Sequence, residues 1–118
     1  MGHDYETLIV GGGPAGLAAA LVLGRCLRKV LVCDSGRQRN LASHAIHALP
    51  GHEGLSPKEF LAAVRRDVGR YPSLTVRDTR VMQVRRSDGG FWFTCSDGAE
   101  GTATTVLLTT GLVDNLPD

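Results

Sequence analysis

Four features of this chain could do chemistry: a glycine cluster, a carboxylate, a histidine-rich stretch and three thiols. Gly11, Gly13 and Gly16 stand in the spacing Gly-x-Gly-x-x-Gly. In that spacing the first glycine permits a tight strand-to-helix turn. The second lets the backbone approach a pyrophosphate, and the third lets the helix pack closely. Pro14 and Ala15 fill the gap. A proline suits a first helical turn, where its missing N–H is not needed. The free N–H groups of such a helix start, with the helix dipole behind them, face phosphates. Asp34 follows Gly16 by 18 residues. A carboxylate at that distance can accept hydrogen bonds from ribose hydroxyls.

With 15 glycines in 118 residues the bare spacing arises readily by chance, so its surroundings decide. Residues Glu6 to Val10 read as a short buried strand of the parallel kind. Leu17 to Leu27 is almost wholly apolar and reads as a helix packed on a sheet. Lys29 to Cys33 reads as a second buried strand, ending at Asp34. The motif therefore sits in a β-α-β unit and points to a bound dinucleotide. The charge of Asp34 argues against a neighbouring 2′-phosphate, because two anions repel. That disfavours NADP here and leaves FAD and NAD open.

Downstream, Ser35 to Leu55 forms a long polar loop carrying Arg37, Arg39, Asn40, His44, His47 and His52. Ordered loops beyond about 12–15 residues are usually functional. Ser56-Pro57-Lys58-Glu59 is the start signal of a second helix. Phe60, Leu61, Val64, Val68 and Tyr71 recur at helical spacing, and Pro72 is the expected stop. Leu74 to Arg77 reads as a third parallel strand. Arg80–Arg86, Phe91–Cys95 and Gly101–Thr105 read as a meander, and Val106–Thr110 as a further buried strand ending at Gly111. The expected fold is α/β and Rossmann-like: one domain over 1–118, a parallel sheet plus an antiparallel β-meander.

Bulk properties exclude several classes. The net charge is +1, so no basic field points to nucleic acid or an anionic membrane. No apolar run approaches the ~20 residues of a membrane span. The N-terminus lacks a signal-peptide order, and Glu6 stands where myristoylation needs Ser or Thr. A cytoplasmic location is expected. Cys26, Cys33 and Cys95 are odd in number and form no Cys-x-x-Cys, which argues against a disulfide framework or a zinc site. They read as small buried apolar residues, with a redox role for Cys33 as the minority reading. The three loop histidines have only Glu53 as a nearby acid, a poor metal set. Phe91, Trp92 and Phe93 read as meander core, and Arg65 and Arg66 as the solvated side of the second helix.

The run from Leu8 through Gly11-Gly12-Gly13-Pro14-Ala15-Gly16 to Ala20 resembles the opening of flavin-dependent, pyridine-nucleotide disulfide oxidoreductases. Asp34-Ser35-Gly36-Arg37-Gln38-Arg39-Asn40, with His47 and the stretch from Leu49 to Pro57, is similar to the thioredoxin-reductase-like branch. That branch includes dithiol oxidases of small-molecule pathways. Thr109-Thr110-Gly111, before Leu116-Pro117, resembles the family's Ala-Thr-Gly motif, with Thr109 in place of Ala.

The resemblance implies FAD as cofactor. Gly11, Gly13, Pro14, Ala15 and Gly16 would hold the pyrophosphate. Asp34, with Ser35 beside it, would take the adenosine ribose. Arg39 and Asn40 would lie along the FAD and His47 near the isoalloxazine. Val81 would meet the adenine through its backbone, and Thr110 and Gly111 would approach from the last strand. The family's NAD(P)H domain, its Cys-x-x-Cys and its C-terminal flavin-completing segment have no counterpart in these 118 residues. The expectation is thus the FAD-binding part of an NAD(P)H-dependent oxidoreductase, incomplete at its C-terminal side and not competent for turnover alone. The alternatives are a non-catalytic flavin- or nucleotide-binding module, or a fragment that needs a partner chain. The apolar strand at Val106–Leu108 would then be covered by a complementary chain or by self-association, or leave the chain poorly soluble, unless Gly101–Thr105 or the tail Leu112–Asp118 folds back to shield it.

Overall fold

The computed structural model describes residues 2–36, 45, 47 and 50–110. The elements run β1 (Tyr5–Val10), α1 (Pro14–Arg25), β2 (Val30–Cys33), α2 (Pro57–Val68), β3 (Leu74–Arg77), β4 (Val81–Ser87), β5 (Gly90–Cys95) and β6 (Glu100–Leu108). They form a six-stranded sheet in the order β3-β2-β1-β6-β5-β4. The first four strands of that order are parallel and the last three antiparallel, with β6 shared. The Rossmann-like α/β expectation holds.

Strand β2 and residues Thr7 to Ile9 of β1 are buried on both faces, because both faces are covered, whereas the outer strand β3 exposes Thr75 and Arg77. Successive strand residues point opposite ways, so alternate residues feed two cores. Ile9, Val30 and Val32 join Leu17 and Ala20 of α1 and Leu61 and Val68 of α2. Leu8, Leu31 and Cys33 face the other way, onto Phe93, Cys95 and Ala103 of the meander. The meander therefore folds back over the parallel sheet instead of merely extending it.

One expected boundary is wrong. Gly101–Thr105 and Val106–Thr110 are not two strands but the single strand β6, which ends at Leu108. Its first half pairs antiparallel with β5 through Ala103, and its second half runs parallel to β1 through Leu108. The sequence shows no break there because none exists, and one strand serves both systems. Helix α2 also stops earlier than Pro72 suggests. Its C-cap is Gly69, while Tyr71 still packs on the helix-side core. At its start, Ser56 Oγ accepts from Glu59 N at 3.1 Å, as the cap signal requires. Among the described residues no helix is long and apolar enough to cross a membrane.

Helix α1 ends in an unusual cap. The N–H of Leu27 donates to Gly24 O, and that of Arg28 to Leu23 O, both at 3.0 Å. This pair of bonds needs a left-handed residue between them, normally glycine. Leu27 holds that place at φ 59° with 85% of its surface exposed. A side chain in this conformation costs about 1–2 kcal/mol, and no buried contact offsets it. Leu27→Gly is therefore expected to stabilise the domain by about 0.5–1 kcal/mol, read as a higher denaturant midpoint at unchanged slope. A lower midpoint would mean that the exposed leucine makes a contact worth more than the strain.

Candidate functional site

The carboxyl ends of β1, β2, β3 and β6 lie along one edge of the sheet. From β1 the chain builds outward through β2 and β3, then returns to the opposite side of β1 as β6. That reversal is a topological switch point, where open α/β sheets bind ligands. Backbone bonds of 2.9 Å tie the strand ends together: Thr109 N to Val10 O, Gly11 N to Cys33 O, and Asp34 N to Arg77 O. The Gly11–Gly16 turn follows β1, Asp34 and Ser35 follow β2, and Thr110 follows β6, so these three segments stand at this edge; Val81 instead opens β4. Arg39, Asn40 and Gly111 lie outside the described residues.

Steric limits in the turn are severe. Gly11 takes φ 113°, which side chains rarely adopt. A Cβ at Gly16 would run into the carbonyl oxygen of Gly11 and lie 2.7 Å from Thr109 Oγ1. The third glycine therefore seats α1 against the turn and Thr109, rather than against the body of β1. Gly12, which the motif leaves unspecified, is equally confined: its Cβ would lie 2.5 Å from that of Asp34. Gly13 is the N-cap of α1 and supplies no side-chain cap, and the first turn carries no acid. Pro14 and Ala15 are exposed beside it. The positive end of the helix dipole is thus left for an anion, with no carboxylate of the first turn competing for it.

Asp34 is only 7% exposed. Its Oδ1 accepts from Gly36 N at 2.8 Å, and its Oδ2 accepts from Arg65 Nη2 at 2.6 Å. The same Arg65 nitrogen donates to Asp78 Oδ1 at 2.8 Å. This corrects the reading of Arg65 as a solvated residue: it reaches from α2 across the sheet edge and holds the Asp34 carboxylate. Helical periodicity placed Arg65 on the outer side of α2, but its long side chain returns to the strand ends. Arg66 is exposed as expected.

The remaining candidates sit less centrally. Val81 opens β4 opposite Cys95, beside a bulge at Val81/Gln83, and packs against the meander-side core. Ser35 is exposed next to Asp34, and so is Thr110 at the end of the described chain. His47 lies on the surface with its side chain 73% exposed, its Nδ1 3.0 Å from Glu53 Oε1. His52 makes an edge contact with Phe60, ring centroids 5.4 Å apart. Among the described residues no group of three His, Cys, Asp or Glu side chains could hold a metal; His44 lies outside them.

Cysteine spacing could not reveal that Cys33 and Cys95 meet. Their sulfurs are 3.9 Å apart in the meander-side core, and both are unoxidised. Burial, then the neighbouring Cys95 thiol, pushes the Cys33 thiol from 9.0 up to about 12. Burial also raises Cys95. The folded chain therefore keeps a proton that the unfolded chain releases at about pH 9. The stability this contributes is complete below that pH and is lost as pH rises toward 12. Thiolates carry the reactivity of cysteines. At pH 8 a disulfide reagent should label the exposed Cys26 rapidly and the other two only on unfolding. Three fast thiols would contradict the buried pair.

Comparison with known proteins agrees with this geometry. A family model described as FAD binding domain matches residues 6–52. The chain is 40% identical over 121 residues to a "Probable thioredoxin reductase" of Arthroderma benhamiae, covering 98% of this chain and 30% of that protein. It is 36% identical to the thioredoxin reductase aclD of Aspergillus oryzae, covering 97% of this chain and 37% of the relative. Among solved structures, an oxidoreductase from Agrobacterium tumefaciens superimposes with a TM-score of 0.90 at 36% identity, over 100% of this chain and 39% of that one. The chain thus spans about a third of the length of the relatives it matches.

Proposed function

We propose that this chain, homologous to the FAD-binding portion of thioredoxin-reductase-like oxidoreductases, holds FAD across the switch point between β1 and β6. The observation that carries the reading is the confined Gly11–Gly16 turn, opening onto an uncapped helix start beside the buried Asp34. The turn fits a pyrophosphate, since its glycines are held tight by Thr109 and Asp34 while the start of α1 carries neither a side-chain cap nor an acid in its first turn. In this reading Gly11, Gly13, Pro14, Ala15 and Gly16 bind the pyrophosphate. Asp34 and Ser35 bind the adenosine ribose, and the Val81 backbone meets the adenine. Arg39, Asn40, Thr110 and Gly111 line the remainder, and His47 approaches the flavin end. The bound flavin would supply two-electron redox chemistry. The chain's own part is to bind it, orient it and keep the adenosine end fixed.

The complete activity we propose is NAD(P)H-linked disulfide or dithiol redox chemistry, in the cytoplasm. The chain reaches it with residues beyond these 118 or with a complementary chain. On one side β6 pairs with β1 through Leu108, but on the other its pairing with β5 ends at Ala103. Leu108 is 70% exposed, and a strand edge of this kind calls for a cover. We assign that cover to further chain, a partner or a second copy.

Asp34→Asn tests the ribose assignment. A charge-assisted hydrogen bond contributes about 1.5–3 kcal/mol, and the amide keeps part of it. FAD and ADP should both bind about tenfold more weakly, with the circular dichroism spectrum unchanged. Unchanged affinity for both ligands would remove Asp34 from the ribose site.

A further inference from the structure

Thr109 stands where the resembling family carries alanine, and by sequence alone the exchange looks mild. The structure gives its hydroxyl two acceptors. Thr109 Oγ1 lies 3.0 Å from Gly11 O and 3.1 Å from Val10 O, while Thr109 N donates to Val10 O at 2.9 Å. A hydroxyl has one proton, so the two carbonyls share it. The residue is half-buried, and its position accounts for two of the three motif glycines. A Cβ at Gly11 would strike the Thr109 carbonyl group and lie 3.1 Å from Oγ1. A Cβ at Gly16 would come within 2.7 Å of the same Oγ1. The threonine side chain occupies the space those glycines leave open.

We infer that Thr109 is the positioning residue of the pyrophosphate turn. Its hydroxyl fixes the Gly11 carbonyl and so couples the end of β6 to the shape of the loop that receives the phosphates. The inference rests on the FAD reading for its ligand, but its mechanical part concerns the chain alone. Alanine would leave Gly11 O without this donor and open a gap. Valine would fill the gap with a methyl group that cannot donate. Serine would restore the donor. β6 is also the strand that carries the chain out of the site.

Thr109→Val, Thr109→Ala and Thr109→Ser should be compared by calorimetry with FAD, ADP and AMP, and by amide hydrogen exchange without ligand. Losing one such hydrogen bond corresponds to about a tenfold change in affinity. The Val and Ala variants should bind FAD and ADP about tenfold more weakly, with a smaller loss for AMP, which has no pyrophosphate. The Ser variant should lie within about threefold of wild type. In the ligand-free chain, the amides of residues 11–13, 15 and 16 should exchange faster in the Val variant and at the original rate in the Ser variant. The β4–β5 hairpin should keep its protection in every variant, which separates a local effect from unfolding. Wild-type FAD affinity and unchanged exchange in the Val variant would overturn the inference. So would a Ser variant no better than Ala. A wild-type chain that binds neither FAD nor ADP would instead overturn the FAD reading, and the exchange data would then decide the role of Thr109 alone.

Discussion

Gly16→Val should abolish FAD binding and destabilise the domain. The first atom of the new side chain would collide with the Gly11 carbonyl and with Thr109 Oγ1. Those groups belong to the turn and to the strand end that pins it, so neither can yield without moving the turn. Overpacking alone costs about 1–3 kcal/mol. Here α1 must also shift away from the turn, which disperses the N–H groups that converge on a phosphate. The expected result is affinity reduced at least a thousandfold, by ~4 kcal/mol, together with a lower melting temperature. Calorimetry with FAD checks it. Affinity within threefold of wild type would mean that the cofactor does not sit on this turn.

The second large effect lies away from the site. Phe93 is 1% exposed and joins the meander to the parallel sheet, packed with Leu8, Leu31, Cys33, Cys95 and Ala103. Tyr5 adds a tilted ring contact, centroids 6.5 Å apart. Phe93→Ala should cost about 3–5 kcal/mol, a large part of the roughly 5–15 kcal/mol that holds a domain together. Denaturant unfolding measures the loss directly. Hydrogen exchange should show β4 and β5 losing protection before β1 and β2. A loss below 1 kcal/mol would mean that the meander does not depend on this core.

Much of this was legible in the sequence because the signals were local. Glu6 to Val10 announces a strand by its apolar run, and the glycine spacing then announces the turn. Ser56-Pro57 announces the second helix. Asp34 could be placed at a strand end by counting from Gly16. What escaped is long-range. Gly12 is confined only because Asp34 comes to lie against it, 22 residues later in the chain. The reach of Arg65 back to Asp34 needs α2 folded over the strand ends. The meeting of Cys33 and Cys95 needs the meander folded over the sheet. The role of Thr109 needs β6 returned beside β1. Two signals were nonetheless in plain view: three consecutive glycines where the motif asks for two, and a threonine where the resembling family has alanine.

The central claim is that the switch-point turn is a FAD site, and titration of the purified chain with FAD tests it most directly. Binding should quench flavin fluorescence and structure the visible flavin band, with ADP competing and FMN, which lacks the adenosine and pyrophosphate, failing to compete. Competition by FMN equal to that of ADP, or the absence of binding by FAD and ADP alike, would contradict it.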